Sequence, residues 1–559
     1  MREKVKNLDY QWIKAILISA GFAILYLLIA GSSTLWDRDE PRYARVTVEM
    51  IESGNYLVPT FNGQPWPDKP ILLYWLMSLP VRLLGPTEIA CRFFGVMGTT
   101  ITLLLTFFIG KKLFNAKAGL WSETILATTL LMMFVGSSAL VDGVLLPFIV
   151  GTMAVFVGRI GERIRPFDFL VAGLLMGIGM LAKGPAGLLP VFVIVVVLWF
   201  GRRNYAEFVV NLVGLALSVI IAIGIFLAWA VPANKEMDGE LFRVFLGHHI
   251  LARTLRPMES HGGNFILYLP YYSAIIIAGF FPWTAFLPGA FSAIIGKRIG
   301  IAGARNIVLS WIVVTVILMT LAATKLPHYI LFAWPAMAVM VGGTIAAGKD
   351  ILSERDKKWL RGGVWFLLPV GLGLASGLIL AGYALKVESL KLPGLICGLA
   401  IIIMTGTCVF LQIREKFVSS ARTILAGIAV FLAPMLFGFL PAVEEIKISP
   451  SIAKAVREKT GTEAPVATYK FAEPTLNFYI GRTVTRLRNE NEVVDWLNGT
   501  AEGVLIIPKK DLNGIMQKSG HNRIEVDFEE IVSKEGINYS KGAEKLEVTA
   551  ILSKKQASK

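Results

Sequence analysis

Long apolar runs alternate with short charged ones over the first 441 residues of this chain. The runs fall near 12–31, 89–110, 118–136, 143–158, 167–181, 185–200, 208–230, 264–295, 306–322, 329–347, 362–384, 393–412 and 423–441. A helix needs about 20 apolar residues to cross a bilayer, so these are thirteen candidate spans. The runs at 143–158 and 167–181 are short and are expected to tilt or to extend into their flanks. After Pro441 the long runs vanish. Residues 451–459 have a helical pattern, with Ile452, Ala455 and Val456 on one side, and 465–469 and 503–507 read as short buried strands. The pattern predicts an α-helical polytopic membrane domain over 1–441 and a small α/β domain over 442–559. The second is long enough to fold by itself. No internal repeat or low-complexity linker interrupts either part.

Composition agrees with a membrane protein. The 559 residues are 55% apolar and 17% charged, against about a quarter charged in soluble domains. Mean hydropathy is +0.62. The net charge of +15 does not call for a nucleic-acid partner, because Lys and Arg accumulate in the cytoplasmic loops of membrane proteins. Cys91, Cys397 and Cys408 lie in or beside apolar runs and have neither metal-ligand nor disulfide spacing. The first run is followed by Gly31, Ser32 and Ser33, faintly like a signal-peptidase site, but its length predicts a retained anchor.

Loop charge sets the orientation. With the N-terminus inside, the inner segments carry clusters such as Lys111, Lys112 and Lys117; Arg159, Arg163 and Arg165; and Arg355, Lys357, Lys358 and Arg361. The short outer loops carry only Lys183, Lys325, Lys386 and Lys391. An odd number of spans then puts the tail outside, together with four of the five histidines. It also puts Asp37, Asp39, Glu40, Asp68, Lys69, Asp142, Lys183, Lys325, His328 and Tyr329 on the outer face, from several separate loops. An outer-face pocket built by the loops 32–88 and 231–263 with several helix ends is the simplest expectation.

The first outer loop is the most charged. Pro41 suits the first turn of a helix, and 42–53 can form a short amphipathic one, with Ala44, Val48 and Ile51 on one face and Gly54 as its stop. Asp39 and Glu40 therefore sit at a helix N-terminus, where the dipole favours carboxylates. Either they act on an acceptor as orienting group or base, or they cap the helix. Asp68 and Lys69 are held between Pro67 and Pro70, beside the interfacial pair Tyr74 and Trp75. Lys69 suits a lipid-linked phosphate, and Asp68 either holds it or takes a metal. Asp142 opens an apolar helix, where an acid is a functional candidate or an N-cap. Lys183 and Lys325 either snorkel or join a cation cluster for a phosphate. His248, His249, Arg253 and His261 share a long outer loop. His249 with Asp68 is a possible pair of ligands for a divalent metal, Zn or Mg.

Together these motifs resemble the GT-C glycosyltransferases that take sugars from polyprenyl phosphates, in the group of lipid A aminoarabinose transferases and protein-mannosyltransferase-like enzymes. The first-loop string of that group is matched by Asp39-Glu40, Arg42-Tyr43-Ala44, Glu49-Met50, Val58-Pro59, Asn62-Gly63, Asp68-Lys69-Pro70 and Tyr74-Trp75. Asp142, Lys183-Gly184-Pro185, His249, Arg253, His261, Lys325-Leu326-Pro327 and Tyr329 continue the likeness, and Tyr469, Pro474, Leu476, Phe478-Tyr479 and Arg482 carry it into the tail. Two positions depart: the group usually has Glu where this chain has Asp68, and often Glu where it has His248.

The resemblance implies an inverting membrane glycosyltransferase in a bacterial inner membrane, with its site facing the periplasm. The donor would be a sugar on undecaprenyl phosphate or a similar carrier, and the acceptor lipid A or another envelope molecule. Asp39, Glu40 and Asp142 would be catalytic, and Lys69, Lys183, Arg253, Lys325 and Tyr329 would bind the donor phosphate. Asp37, Arg42, Tyr43 and His261 would support them. A protein O-mannosyltransferase differs only in acceptor. A lipid or solute transporter would show charges at helix midpoints and two related halves, and this chain shows neither.

Overall fold

In the computed structural model the described residues are 2–202, 204–245, 247, 270–461, 463–500, 502–519, 527–539 and 544–554. They divide into two compact units. One comprises 1–30, 67–76 and 92–439; the other comprises 31–66, 77–91 and 440–559.

The first unit is a bundle of apolar helices. Ten helices among the described residues are long and apolar enough to cross a membrane, or up to twelve if each of two bent pairs is one span. The bent pairs are Ala116–Ala127 with Leu130–Gly136, and Tyr271–Gly279 with Trp283–Ile295. They correspond to the runs expected at 118–136 and 264–295. The difference from thirteen lies in 166–201, expected as two spans and formed as one unbroken helical stretch, Pro166–Gly201, whose two legs correspond to the expected runs. That stretch reverses at Lys183. Gly184 has φ +57°, and a Cβ at Gly187 would lie 2.5 Å from the Met180 nitrogen, so the chain folds back against its own preceding helix.

Small residues bring the helices together. A Cβ on Gly98 would lie 2.2 Å from the Gly143 carbonyl oxygen, and one on Gly95 would lie 2.5 Å from that of Ser138. Helices Glu88–Leu113 and Val141–Gly158 thus cross backbone to backbone, as small residues allow in membranes. Some buried polar groups find partners on neighbouring helices. The Tyr26 hydroxyl donates to Ala127 O at 2.6 Å, and the Trp283 indole donates to Thr128 Oγ1 at 2.8 Å.

The second unit holds a five-stranded sheet and the first-loop helix Asp39–Ser53. Strands β1 (Thr60–Phe61) and β2 (Gln64–Pro65) form a hairpin in the loop. Its turn residues Asn62 and Gly63 have φ of 56° and 75°, as a two-residue hairpin turn of the primed type requires. The tail adds β3 (Val466–Tyr469), β4 (Val484–Leu487), β5 (Val504–Pro508), β6 (Phe528–Asn538) and β7 (Glu544–Ser553), in the order β4-β3-β5-β7-β6. β3 is parallel to β4 and β5, and β7 is antiparallel to β5 and β6. Alternate residues face opposite layers. Val466, Val504, Ile506 and Val548 pack with Ile452 and Leu476, while Ala467, Leu505, Ile507 and Ile551 pack with Val493 and Leu512. Helices therefore cover both faces of the sheet.

The crossing at Gly98 sets the position of the helix that begins with Val141 and Asp142. Gly98→Val should force that helix away and lower stability by about 1–3 kcal/mol, the usual cost of overpacking. Gly21→Val, at a position with open space around it, should change little. Thermal melting followed by size-exclusion in detergent distinguishes the two.

Candidate active site

In the bundle unit, the turn after one helix and the starts of two others bring four side chains together. Asp142 lies in the first turn of Val141–Gly158, and no side-chain cap closes that helix end. Its carboxylate instead accepts a hydrogen bond from Lys183 Nζ at 2.7 Å on Oδ1, and His328 Nε2 lies 3.7 Å from Oδ2. Lys183 Nζ also stands 4.7 Å from the centroid of the Tyr329 ring, and His328 packs edge-on against that ring. Asp142 is 4% exposed, while Lys183 and His328 keep 15% and 19%. The carboxylate is thus a buried floor and the cationic groups are the accessible side. Burying an ion in apolar surroundings is costly unless it is paired, and this pair meets that condition. The loop charges put His328 on the outer face, but no motif points to it beside its neighbour Tyr329.

Lys69 and Asp68 make a second ion pair at 2.9 Å, both largely buried. The charge of Lys69 acts on Asp142, which places the two pairs near one another. Asp68 is accordingly a partner for Lys69. Among the described residues no group of three His, Cys, Asp or Glu is arranged to hold a metal ion. The other expected metal ligand, His249, lies outside the described residues, as do Arg253, His261 and His248.

Lys325 differs from the expectation of a phosphate ligand. It is 5% exposed, and its ammonium donates to Met319 O, Thr320 O and Ala322 O, the last at 2.5 Å. Those carbonyls close helix Ala304–Leu321. A helix C-terminus attracts cations, and an ammonium has only three protons to donate. Burial pushes its pKa down.

In the other unit the first loop carries the second set of candidates. Glu40 is 3% exposed and accepts the Trp36 N–H at 2.8 Å, so it holds the loop. Asp39, at the first position of the helix, is 43% exposed, with Arg42 at 3.9 Å. Arg42 lies over the Trp66 ring at 5.7 Å, and Tyr43 is buried. The buried side of this helix differs from the expected Ala44, Val48 and Ile51. It is formed by Tyr43, Ala44, Val46, Thr47 and Met50 with the polar Arg45 and Glu49. Glu49 is drawn in because it accepts from Arg45 Nε, Asn62 N and Gly63 N at 2.8, 2.7 and 3.1 Å. Asn62 then bonds both ways to the backbone of Val484 on β4, at 2.8 and 3.0 Å.

Asp37 belongs to the same framework. It accepts from the Thr475 hydroxyl and, at 2.9 Å, from Thr475 N, at the start of helix Pro474–Ile480. Glu473, just before it, is buried and accepts from Tyr539 N at 2.9 Å and Ser449 Oγ at 2.5 Å. The Tyr479 hydroxyl donates to Glu88 and receives the Leu35 N–H. Lys447 Nζ stands 3.8 Å from the Trp36 ring. The first loop and the tail are tied together, so they lie on one side of the membrane.

Comparison with known proteins gives a consistent picture. Residues 68–229 match the family described as dolichyl-phosphate-mannose-protein mannosyltransferase. The undecaprenyl phosphate-alpha-4-amino-4-deoxy-L-arabinose arabinosyl transferase of Pectobacterium carotovorum is 28% identical over 438 residues, 77% of this chain and 76% of the relative. That of Edwardsiella ictaluri is 30% identical, over 64% of this chain and 63% of the relative. The crystal structure of ArnT from Cupriavidus metallidurans superposes with a TM-score of 0.72 at 17% identity, over 96% of this chain and 97% of that one.

The chain is a glycosyltransferase that resembles the aminoarabinose transferases over most of its length and the protein mannosyltransferases over residues 68–229. Its many spans place this glycosyltransferase in a membrane, consistent with a bacterial inner membrane.

Burial, and then the charge of Asp37, push the Glu473 pKa of this glycosyltransferase up to about 7. A raised carboxyl pKa means that the folded state holds a proton that the unfolded state has lost. Stability from this group is complete below about pH 4.5, and it is lost as pH rises to about 7. The loss is on the order of 3 kcal/mol. Glu473→Gln should remove that slope and melt higher than wild type at pH 7.5. Equal melting profiles of the two proteins from pH 4.5 to 8 would refute the assignment.

Proposed function

We propose that this glycosyltransferase moves a sugar from undecaprenyl phosphate, or a similar polyprenyl carrier, to lipid A at the periplasmic face of the inner membrane. The observation that carries the reading is the pair of lysines, Lys69 and Lys183, each fixed by its own aspartate among apolar helix ends. Anchored ammonium groups at such a boundary suit the phosphate of a lipid whose tail stays in hydrocarbon. Lys69 and Lys183 would bind that phosphate and, with Arg253, stabilise it as it leaves. Stabilising charge that develops in the transition state is the largest contribution such a site makes. The Tyr329 ring would hold Lys183 in place. The relatives' names support the donor and the sugar, since they specify undecaprenyl phosphate and 4-amino-4-deoxy-L-arabinose. The chain's match to a family of protein mannosyltransferases keeps a protein acceptor as the second reading.

Asp39 is proposed as the group that orients or deprotonates the acceptor, because it is the open carboxylate of the first loop. Glu40 and Asp37 would position it through the loop they hold, with Arg42 and Tyr43. If the acceptor is a lipid A phosphate, it is already anionic, and Asp39 orients it without taking a proton. The bundle 1–441 would be the catalytic domain and 442–559 a periplasmic domain that holds the first loop. The charge bias of the short loops and the bonds from Asp37 to Thr475 support an outward-facing loop and tail.

Mass spectrometry of lipid A and of secreted proteins, from cells with and without the gene, tests the acceptor. Lipid A should lose a sugar-bearing species that wild type restores and Asp39→Asn does not. Asn keeps the shape and removes the charge. Transfer by Asp39→Asn within tenfold of wild type, about 1.4 kcal/mol of barrier, would reduce Asp39 to a helix-end charge. A sugar lost from secreted proteins instead would establish the second reading.

Lys69→Ala should both raise the donor concentration needed and slow turnover. A cation that touches the phosphate grips it harder as negative charge builds on it. Initial rates against undecaprenyl-phosphate-linked aminoarabinose in nanodiscs measure both. Full turnover restored at high donor would mean that Lys69 binds ground and transition states equally. No change in either would remove it from the site.

A further inference from the structure

The charges of the bundle-unit site cancel among the described residues. Lys69 is matched by Asp68 and Lys183 by Asp142. Lys325, on the same segment as His328, gives its protons to the carbonyls of a helix end. Two phenols also face this cluster. Tyr329 lies beneath Lys183, and Tyr272, from helix Tyr271–Gly279, has its hydroxyl 3.4 Å from Leu326 O. Among the described residues, His328 is therefore the group whose protonation changes the net charge of this cluster. Histidine is the side chain that ordinarily changes charge between about pH 5 and 8.

We propose that His328 is a further phosphate-binding group of this glycosyltransferase, beside Lys69, Lys183 and Arg253, and that its protonation modulates the affinity for the polyprenyl phosphate. The inference rests on the donor reading given above and extends it to a residue that reading does not use. Geometry supports it in three ways. His328 and Lys183 sit at the two oxygens of one carboxylate, so the two basic groups flank it from opposite oxygens. Both keep an accessible side while the carboxylate between them is buried. The edge-on contact with Tyr329 fixes the imidazole plane against the ring that also carries Lys183. Protonated His328 adds a charge-assisted donor to the anion; neutral His328 leaves only the paired lysines among the described residues.

Binding of undecaprenyl phosphate to the purified full chain, in nanodiscs of zwitterionic lipid, tests this between about pH 5.5 and 8.5. The ligand's own phosphate titrates in this range, so the informative quantity is the ratio of wild type to His328→Gln at each pH. Wild type should bind about tenfold more tightly than His328→Gln at pH 5.5, the size expected for losing one charge-assisted contact. The ratio should close to about one at pH 8.5. His328→Lys, which keeps a charge throughout, should hold the tenfold advantage over His328→Gln at both ends. A ratio that does not change with pH, or a Lys variant that follows Gln although its melting temperature matches wild type, overturns the inference while leaving the donor reading intact. Wild type that binds no undecaprenyl phosphate at any pH overturns the donor reading itself, and this inference with it.

Discussion

A partly buried ammonium group at the edge of a hydrocarbon phase is stabilised by an anion fixed beside it. The bond from Lys183 to Asp142 is of this kind, and much of the bundle's local architecture serves to make it. Gly98 and Gly143 let two helices touch at their backbones, which sets where the first turn carrying Asp142 lies. Gly184, with a positive φ of +57°, turns the chain back immediately after Lys183. Tyr329 then gives Lys183 an electron-rich ring face, and a cation over such a ring gains further attraction where water is scarce. Had Asp142 been a helix cap, Lys183 would have no counter-charge and would snorkel to water.

The second unit is organised by a different need. Its first loop carries many polar groups that are buried, and each buried donor or acceptor left unpaired costs roughly 1–3 kcal/mol. The tail supplies the partners. Asp37 receives Thr475, Asn62 joins the backbone of β4, and Leu35 and Glu88 share the hydroxyl of Tyr479. These contacts span some four hundred residues of sequence, so the loop's shape depends on a domain formed long after it in the chain. A hairpin turn at Asn62 and Gly63 would form locally, but its position against Glu49 and Val484 would not.

This explains what was legible from the sequence. Apolar runs long enough to span are local, so every expected run has a helical counterpart among the described residues, and the count differs only where 166–201 doubles back as one stretch. The hydrophobic strands β3 and β5 were equally readable. β6 and β7 were not, because residues such as Glu529, Glu530, Lys534 and Glu535 interrupt β6 with charge, and its pairing with β7 is long-range. The first-loop string was recognisable as a unit, yet half of it is framework. Glu49 and Asn62 look like candidate site residues only until their partners are known, and those partners lie in the turn beside them and in the tail. The burial of Glu49 likewise overrode the apolar face that helical spacing predicted for 42–53.

A further distinction was beyond any motif, because it depends on what consumes each charge. Lys183 and Lys325 occupy similar short loops, each the sole cation of its own. One is fixed by a carboxylate and keeps an open side; the other is used up by three carbonyls at a helix end. Asp39 and Glu40 are adjacent acids at one helix start, and the backbone of Trp36 takes Glu40 while Asp39 stays half-exposed. In both cases the backbone's unpaired groups decide, since helix ends and loop N–H groups must be satisfied whatever the reaction requires. Polar residues near a membrane surface are therefore divided first between the fold and its own backbone. What chemistry can use is the remainder: Lys69, Lys183, His328 and Asp39 among the described residues.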